Sequence, residues 1–397
     1  MAIQYQLPIS WIQYDRIRVQ EQLVQAKASI LALANNPYQK EWVENLQEIE
    51  LKREVAGTSR IEGAEFTEQE LNEALSESPE EMLTRSQRQA RAAVRTYRWI
   101  ATIPDDRPIN SELILEIHQK IITGADDDHC PPGTLRTTDQ NVTFGMPRHR
   151  GVTGGTDCKK SFDAFTQALT RDYPAHDPIL QAMAAHYHLA AMHPFLDGNG
   201  RTARALEALM LQRAGLRETC FIAMSNYYYE EKNNYLKSLS EARELGHNLT
   251  PFFLFSLNGL IFQVERMLRE LKRNIQKALF RNVMFDLFKR LQSPRKRVLA
   301  QRQTDILKIL LKEDEIRFLE IYDRVIGNYH NLKNPGSALR RDLIGLMRLG
   351  ALNVKFNEAG EDAVLSLNLN WPSEITETDF MERIKNLPKA KTSTFLP

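Results

Sequence analysis

The chain has 397 residues, 42% of them hydrophobic, enough for two or three domains with cores of their own. Its 52 basic and 51 acidic side chains nearly cancel to a net +1, so overall charge gives no reason to expect a polyanionic partner. Three scattered cysteines (Cys130, Cys158, Cys220), the lack of a signal-peptide pattern and the absence of any run of membrane-span length set aside a disulfide framework, a paired Cys/His zinc site and a membrane protein; a soluble, cytoplasmic protein is expected.

Apolar residues recur at helical spacing along most of the chain, so the expected fold class is mainly α. Helices are expected over 12–34, 38–57, 68–76, 86–100 and 110–122. Residues 124–157 break the pattern with Gly, Pro, Thr and Asp, and 141–144 is the only strand-like patch there. A loop of that length in a folded domain commonly carries function. A further helix over 179–192 delivers His193 at its C-terminal end.

Residues 193–204 read His-Pro-Phe-Leu-Asp-Gly-Asn-Gly-Arg-Thr-Ala-Arg, which gathers a candidate base, a carboxylate, a Gly-rich turn and two arginines. Helical spacing resumes over 202–212 and stops at Gly215, so the turn opens onto a helix N-terminus. There the amides of Gly198, Asn199 and Gly200 can face an anion. Asp197 can hold Mg2+, and Arg201 and Arg204, three apart, share one helix face within reach of successive phosphates.

This run resembles the Fic family motif, His-Pro-Phe-x-(Asp/Glu)-Gly-Asn-(Gly/Lys)-Arg, at every specified position. The resemblance implies a Fic helical core with a short β-hairpin flap and a protein adenylyltransferase. In it His193 is the general base that deprotonates a target Ser, Thr or Tyr hydroxyl for attack on the α-phosphate of Mg-ATP. Asp197 is then the metal acid, Gly198 to Gly200 the anion hole, and Arg201 and Arg204 the phosphate ligands. His186 also recurs in family members, and a packed helix histidine is its expected role. Residues 113–124 look like the helix before the flap, and Pro132 to Arg136 with Asn141 to Phe144 look like the flap itself, where Val142, Thr143 and Phe144 hold the target by backbone pairing. His149 and Arg150 are expected either at a ligand or in a solvated basic turn. Thr58, Glu62 and Gly63 match the family's inhibitory motif, (Ser/Thr)-x-x-x-Glu-(Gly/Asn), which implies that Glu62 pairs with Arg204 and displaces the γ-phosphate. Tyr235 is similar in position to the segment lining adenosine.

Gly200 separates this chain from the kinase-like Doc branch, which has Lys there. Transfer of UMP or phosphocholine, removal of AMP with Glu62 positioning a water, self-modification and self-association all remain open on these residues. The reading from a different class is a DNA-binding regulator with a nucleotide-sensing core; an intact His193 speaks against it.

Downstream, 250–292 is expected as a helical hairpin ending in a basic linker around Ser293-Pro294, with Lys289, Arg290, Arg295, Lys296 and Arg297. Helical patterns at 303–311, 317–326 and 337–349, then strand patterns at 352–356 and 363–369 around a 357–360 wing, resemble a winged-helix domain. Its third helix carries Arg340, Arg341 and Arg348, which suit phosphates. Asp342, Glu358, Glu361 and Asp362 oppose DNA, so packing or protein docking is preferred. The expected domains are a helical region with the inhibitory motif at 1–97, a catalytic core at 98–260, a helical linker at 261–300, a winged helix at 301–372 and a tail at 373–397.

Overall fold

Helix capping sets much of the local order. In the computed structural model, which describes residues 3–36, 39–76, 84–145, 148–216, 222–291, 294–356 and 363–385, several helices start on a side-chain cap. After β1 (Ile3–Gln4), α1 (Arg16–Ala34) begins on Asp15, whose carboxylate accepts from Ile17 and Arg18 amides. α2 (Lys40–Ile61) follows, then α3 (Glu68–Leu75) and α4 (Arg85–Thr102). These last two open on reciprocal capping boxes, Thr67 with Glu70 and Thr84 with Gln87. α5 (Ser111–Ile122) starts on Asn110. The long loop then supplies β2 (Thr143–Phe144) and β3 (His149–Arg150) before α6 (Thr156–Arg171).

α7 (Pro178–Met192) is buried on nearly every face, as a helix apolar all round must be, and packs on α8 (Asn199–Leu211) at the centre of the unit Met1–Arg269. α9 (Met224–Glu230) and α10 (Lys232–Glu244) complete the surround. α2 lies against α9 so closely that a Cβ on Gly57 would strike the Ser225 and Asn226 backbone. Only glycine fits that crossing. α11 (Thr250–Lys289) is one unbroken helix where a hairpin was expected, because residues 260–289 hold no Gly or Pro to turn the chain.

The second unit, Glu270–Pro397, contains α12 (Pro294–Lys312), β4 (Glu315–Arg317), α13 (Phe318–Val325), α14 (Pro335–Arg348), β5 (Leu352–Phe356), β6 (Ala363–Leu367), α15 (Trp371–Glu374) and α16 (Glu377–Lys385). Helix α12 starts at Pro294, within the stretch expected as a basic linker. The strands form an antiparallel sheet in the order β4-β6-β5. The sequence pattern missed β4, which is too short for alternation to register. The 357–360 wing, with Glu358, Glu361 and Asp362, lies outside the described residues, as do Cys220 and 386–397. Asp342 corrects an expectation: it is not a surface charge but a buried one, bound by Arg302 at 2.8 Å and the Tyr329 hydroxyl at 3.0 Å.

Candidate active site

His193 is the C-cap of α7 and takes a left-handed conformation, φ 52° and ψ 59°, one of two positive-φ non-glycine residues among those described. Such a conformation is uncommon outside glycine and persists only where surrounding contacts fix it. Here Arg136 fixes it. The buried guanidinium donates to the His193 carbonyl at 2.8 Å, to Gln140 O at 2.8 Å and to Val152 O at 2.5 Å, tying the loop to the end of α7. The His193 ring donates from Nδ1 to Ala190 O at 2.8 Å, which leaves Nε2 as the acceptor. Burial pushes its pKa down to about 4, and Arg136 and Arg243 push the same way, so the imidazole is neutral at physiological pH.

The turn after His193 is closed by Asn199, whose side chain accepts from Phe195 N at 2.9 Å and donates to Phe195 O at 2.8 Å. Asn199 therefore offers a ligand only its backbone amide. Gly198 has φ 73°, and a Cβ there would sit 2.8 Å from Ile122 Cδ1. His118 on α5 supports the turn: Nδ1 accepts from Gly133 N at 2.9 Å, Nε2 donates to Asp197 O at 3.1 Å, and the ring stacks on Phe195 at 3.7 Å.

Both arginines of α8 are buried and both are paired. Arg201 binds Asp126 at 2.6 Å and Asp197 at 3.3 Å. Asp126 is also held by Arg85 at 2.6 Å and by the Gln89 amide, while Asp197 meets Arg85 at 3.2 Å and His129 Nε2 at 3.0 Å. Burial opposes both carboxylates' charge, yet the Arg201 guanidinium and these donors hold each below the usual range. Asp126, His129 and Asp197 offer ligand atoms within 4.8 Å of one another. Sequence reading missed Arg85, Asp126 and His129, because they come from separate stretches. The only available signal was the Asp-Asp-Asp-His run at 126–129.

Arg204 binds Glu62 at 2.6 Å, Thr58 Oγ1 at 2.9 Å and Thr58 O at 3.2 Å. Two segments distant in sequence thus meet. Burial disfavours the Glu62 carboxylate, but Arg204 outweighs it and keeps the group ionised. The expected end of the helix at 57 moves: α2 continues to Ile61 and Glu62 is its C-cap. Lys232 Nζ donates to Ile61 O at 2.8 Å at that end. The Glu62 carboxylate stands directly over Gly200, where a Cβ would collide with its Oε1 and lie 3.0 Å from Arg204 Nη1.

In the flap, β2 pairs with β3 antiparallel, and β3 pairs with β1 in parallel, a brace from residues 3–4 that two-residue strands do not announce in sequence. The order β1-β3-β2 leaves β2 at the edge. Thr143 is exposed and Val142 half-buried. The Phe144 ring stacks on His193, centroids 3.8 Å apart. His149 is buried against Ser240 at 3.1 Å, whereas Arg150 is exposed. Tyr235 is buried, with its hydroxyl on His186 Nε2 at 2.8 Å and its side chain hydrogen-bonded to Arg204; His186, whose Nδ1 meets Glu207 at 2.9 Å, is packed within its helix as expected.

A buried histidine at a helix end, a Gly-rich turn at a helix start and two paired arginines thus stand together. Residues 108–211 match the model of the Fic/DOC family. The chain is 30% identical over 157 residues to the protein adenylyltransferase Fic of Nematostella vectensis, over 38% of this chain and 33% of that protein. It is 34% identical over 124 residues to protein adenylyltransferase fic-1 of Caenorhabditis briggsae, over 31% and 23% respectively. The chain thus spans a third or less of the length of these curated relatives. In fold it is similar to Fic-1 from C. elegans, with a TM-score of 0.53 and 21% identity over 65% of this chain and 72% of that one. A Fic family protein from Desulfovibrio desulfuricans G20 is similar over 92% of this chain and 98% of its own, at a TM-score of 0.58 and 15% identity. No described helix is long and apolar enough to cross a membrane.

Proposed function

We propose that the chain is a protein adenylyltransferase, moving AMP from ATP to a Ser, Thr or Tyr hydroxyl of a target protein or of itself, and that Glu62 restrains it. The observation that carries this reading is the Glu62–Arg204 pair over Gly200. A carboxylate there takes the guanidinium a γ-phosphate needs and repels that phosphate, so ATP settles in a poor geometry for attack. Gly200 leaves room for it. A Lys at this position, as in the Doc branch, would meet the Glu62 carboxylate, which favours nucleotidyl transfer over phosphorylation.

With Glu62 withdrawn, Arg204 binds the γ-phosphate and the first amides of α8, from Asn199 to Arg201, face the α-phosphate at the positive end of the helix. His193 Nε2 takes the proton of the target hydroxyl, whose oxygen forms a bond to the α-phosphorus. The bond from that phosphorus to the bridging oxygen breaks, and pyrophosphate leaves. A target strand pairs with the free edge of β2 at Val142 and Thr143, which suits targets of varied sequence. Asp197, a carboxylate one-third exposed and already ringed by Arg85, His129 and Arg201, fits a divalent cation such as Mg2+. When bound, the ion neutralises phosphate charge.

We further read 301–372 as a winged helix, on the three helices and the β4-β6-β5 sheet. Arg341 and Arg348 are exposed on α14, while Arg340 packs its guanidinium over Phe318. With Asp342 buried, docking to protein rests on fewer opposing charges, and salt-dependent duplex binding tests the alternative.

Intact-mass measurement after incubation with Mg-ATP, paired with label transfer to lysate proteins, tests the main reading. Glu62→Gly is expected to add AMP. His193→Ala in that background is expected to lose about two to four orders of magnitude in rate while still binding ATP. Absence of transfer by Glu62→Gly to any protein, or undiminished transfer without His193, overturns it.

A further inference from the structure

Phe144 contacts more than the base. Its ring is 10° from parallel to His193, and the Arg243 guanidinium carbon lies 4.8 Å from its centroid. Arg243 is only 7% exposed, and its Nε and Nη1 have no hydrogen-bond partner. A buried guanidinium in that state costs free energy that an aromatic face offsets only in part. Tyr5 and Tyr187 lie beside it, and Tyr187 hydrogen-bonds to its side chain. Both bear on the same assembly: the Tyr5 amide donates to Arg150 O on the flap at 3.0 Å, and Tyr187 belongs to α7, which ends at His193.

We infer that Arg243 and Phe144 are a positioning pair that holds the flap over His193, fixes the plane of its ring and shields it from water. The inference rests on His193 being the base. The ring is anchored at one edge by Ala190 O, and a stack on its face removes the remaining freedom to tilt. Nε2 then keeps one direction for the incoming hydroxyl. Three charged groups act on the imidazole: Glu62, Arg136 and Arg243. Arg136 is spent on three backbone carbonyls and serves the scaffold, whereas Arg243 has no such commitment at Nε or Nη1. Its positive charge resists protonation of the base, and Phe144 keeps it buried beside that base.

The test uses Arg243→Met, Arg243→Lys and Phe144→Leu, each in full-length Glu62→Gly protein. NMR titration of the His193 ring gives a readout independent of turnover. Arg243→Met and Phe144→Leu are expected to move its midpoint from about 4 upward toward 6.5. They are expected to lower kcat about ten- to a hundredfold with little change in KM for ATP. Lys, which keeps the charge but not the planar stack, is expected to restore the midpoint and only part of kcat. Should Arg243→Met not fold, Phe144→Leu at its half-buried hairpin position still decides the matter. An unchanged midpoint and unchanged kcat in the folded variants overturn the inference. If the Glu62→Gly parent transfers nothing, the proposed activity fails instead, and the titration still reports on the stack.

Discussion

Arg201 and Arg204 lie one turn apart on α8, both buried and both facing carboxylates at 2.6 Å, yet their partners differ. Asp126 is fully buried and gripped by Arg85 and Gln89 as well as Arg201. Glu62 caps the end of a helix with a third of its side chain exposed. A carboxylate held by three residues from two helices is part of the frame. One presented by a helix terminus can leave when that terminus shifts, so on the proposed reading only the second pair regulates.

The largest expected contrast comes from breaking each pair. Asp126→Ala leaves the Arg201 charge buried and is expected to cost about 3–5 kcal/mol in denaturant unfolding, with no gain in transfer. Glu62→Gly is expected to cost less, since its carboxylate is partly exposed and Arg204 keeps its bonds to Thr58. It should raise AMP transfer about five- to more than a hundredfold, the range of a coupling of about 1–3 kcal/mol. Equal stability losses in the two variants would erase the distinction. Arg204→Ala sharpens it: this change also breaks the inhibitory pair but removes the phosphate ligand, so in the Glu62→Gly background it is expected to lower transfer.

A smaller effect probes how α2 is seated. Burial raises the Glu54 carboxyl from 4.5 to about 7, while Ser225 and Tyr97 donate to it. A raised folded pKa means that this group's contribution is complete below the unfolded value and is lost as pH rises through about 7. Wild type is therefore expected to melt earlier at pH 8 than at pH 5 by more than Glu54→Gln does. Matching melting shifts in both proteins would remove Glu54 from the seating of α2.

The same contrast explains what the sequence makes legible. The site at 193–204 is readable because its base, turn and arginines are contiguous, and their geometry follows from one helix end and one helix start. The partners of Arg201 are not readable, since Arg85 and Asp126 meet only through the packing of α4 and the long loop. Thr58 to Gly63 can be read as a motif, but its helix runs four residues further than its Gly and Ser content suggests. Gly57 is there for close approach to Ser225 rather than to end the helix. The ring contacts of Tyr235 and Phe144 are not readable, because the direction of an aromatic ring depends on neighbours from other elements.

Calorimetric binding of ATP and ADP to wild type and Glu62→Gly tests most directly whether Glu62 holds the γ-phosphate ligand. The account expects the substitution to tighten ATP well beyond ADP, because only ATP carries the phosphate that Arg204 would accept. Equal gains for both nucleotides, or none for ATP, would contradict it.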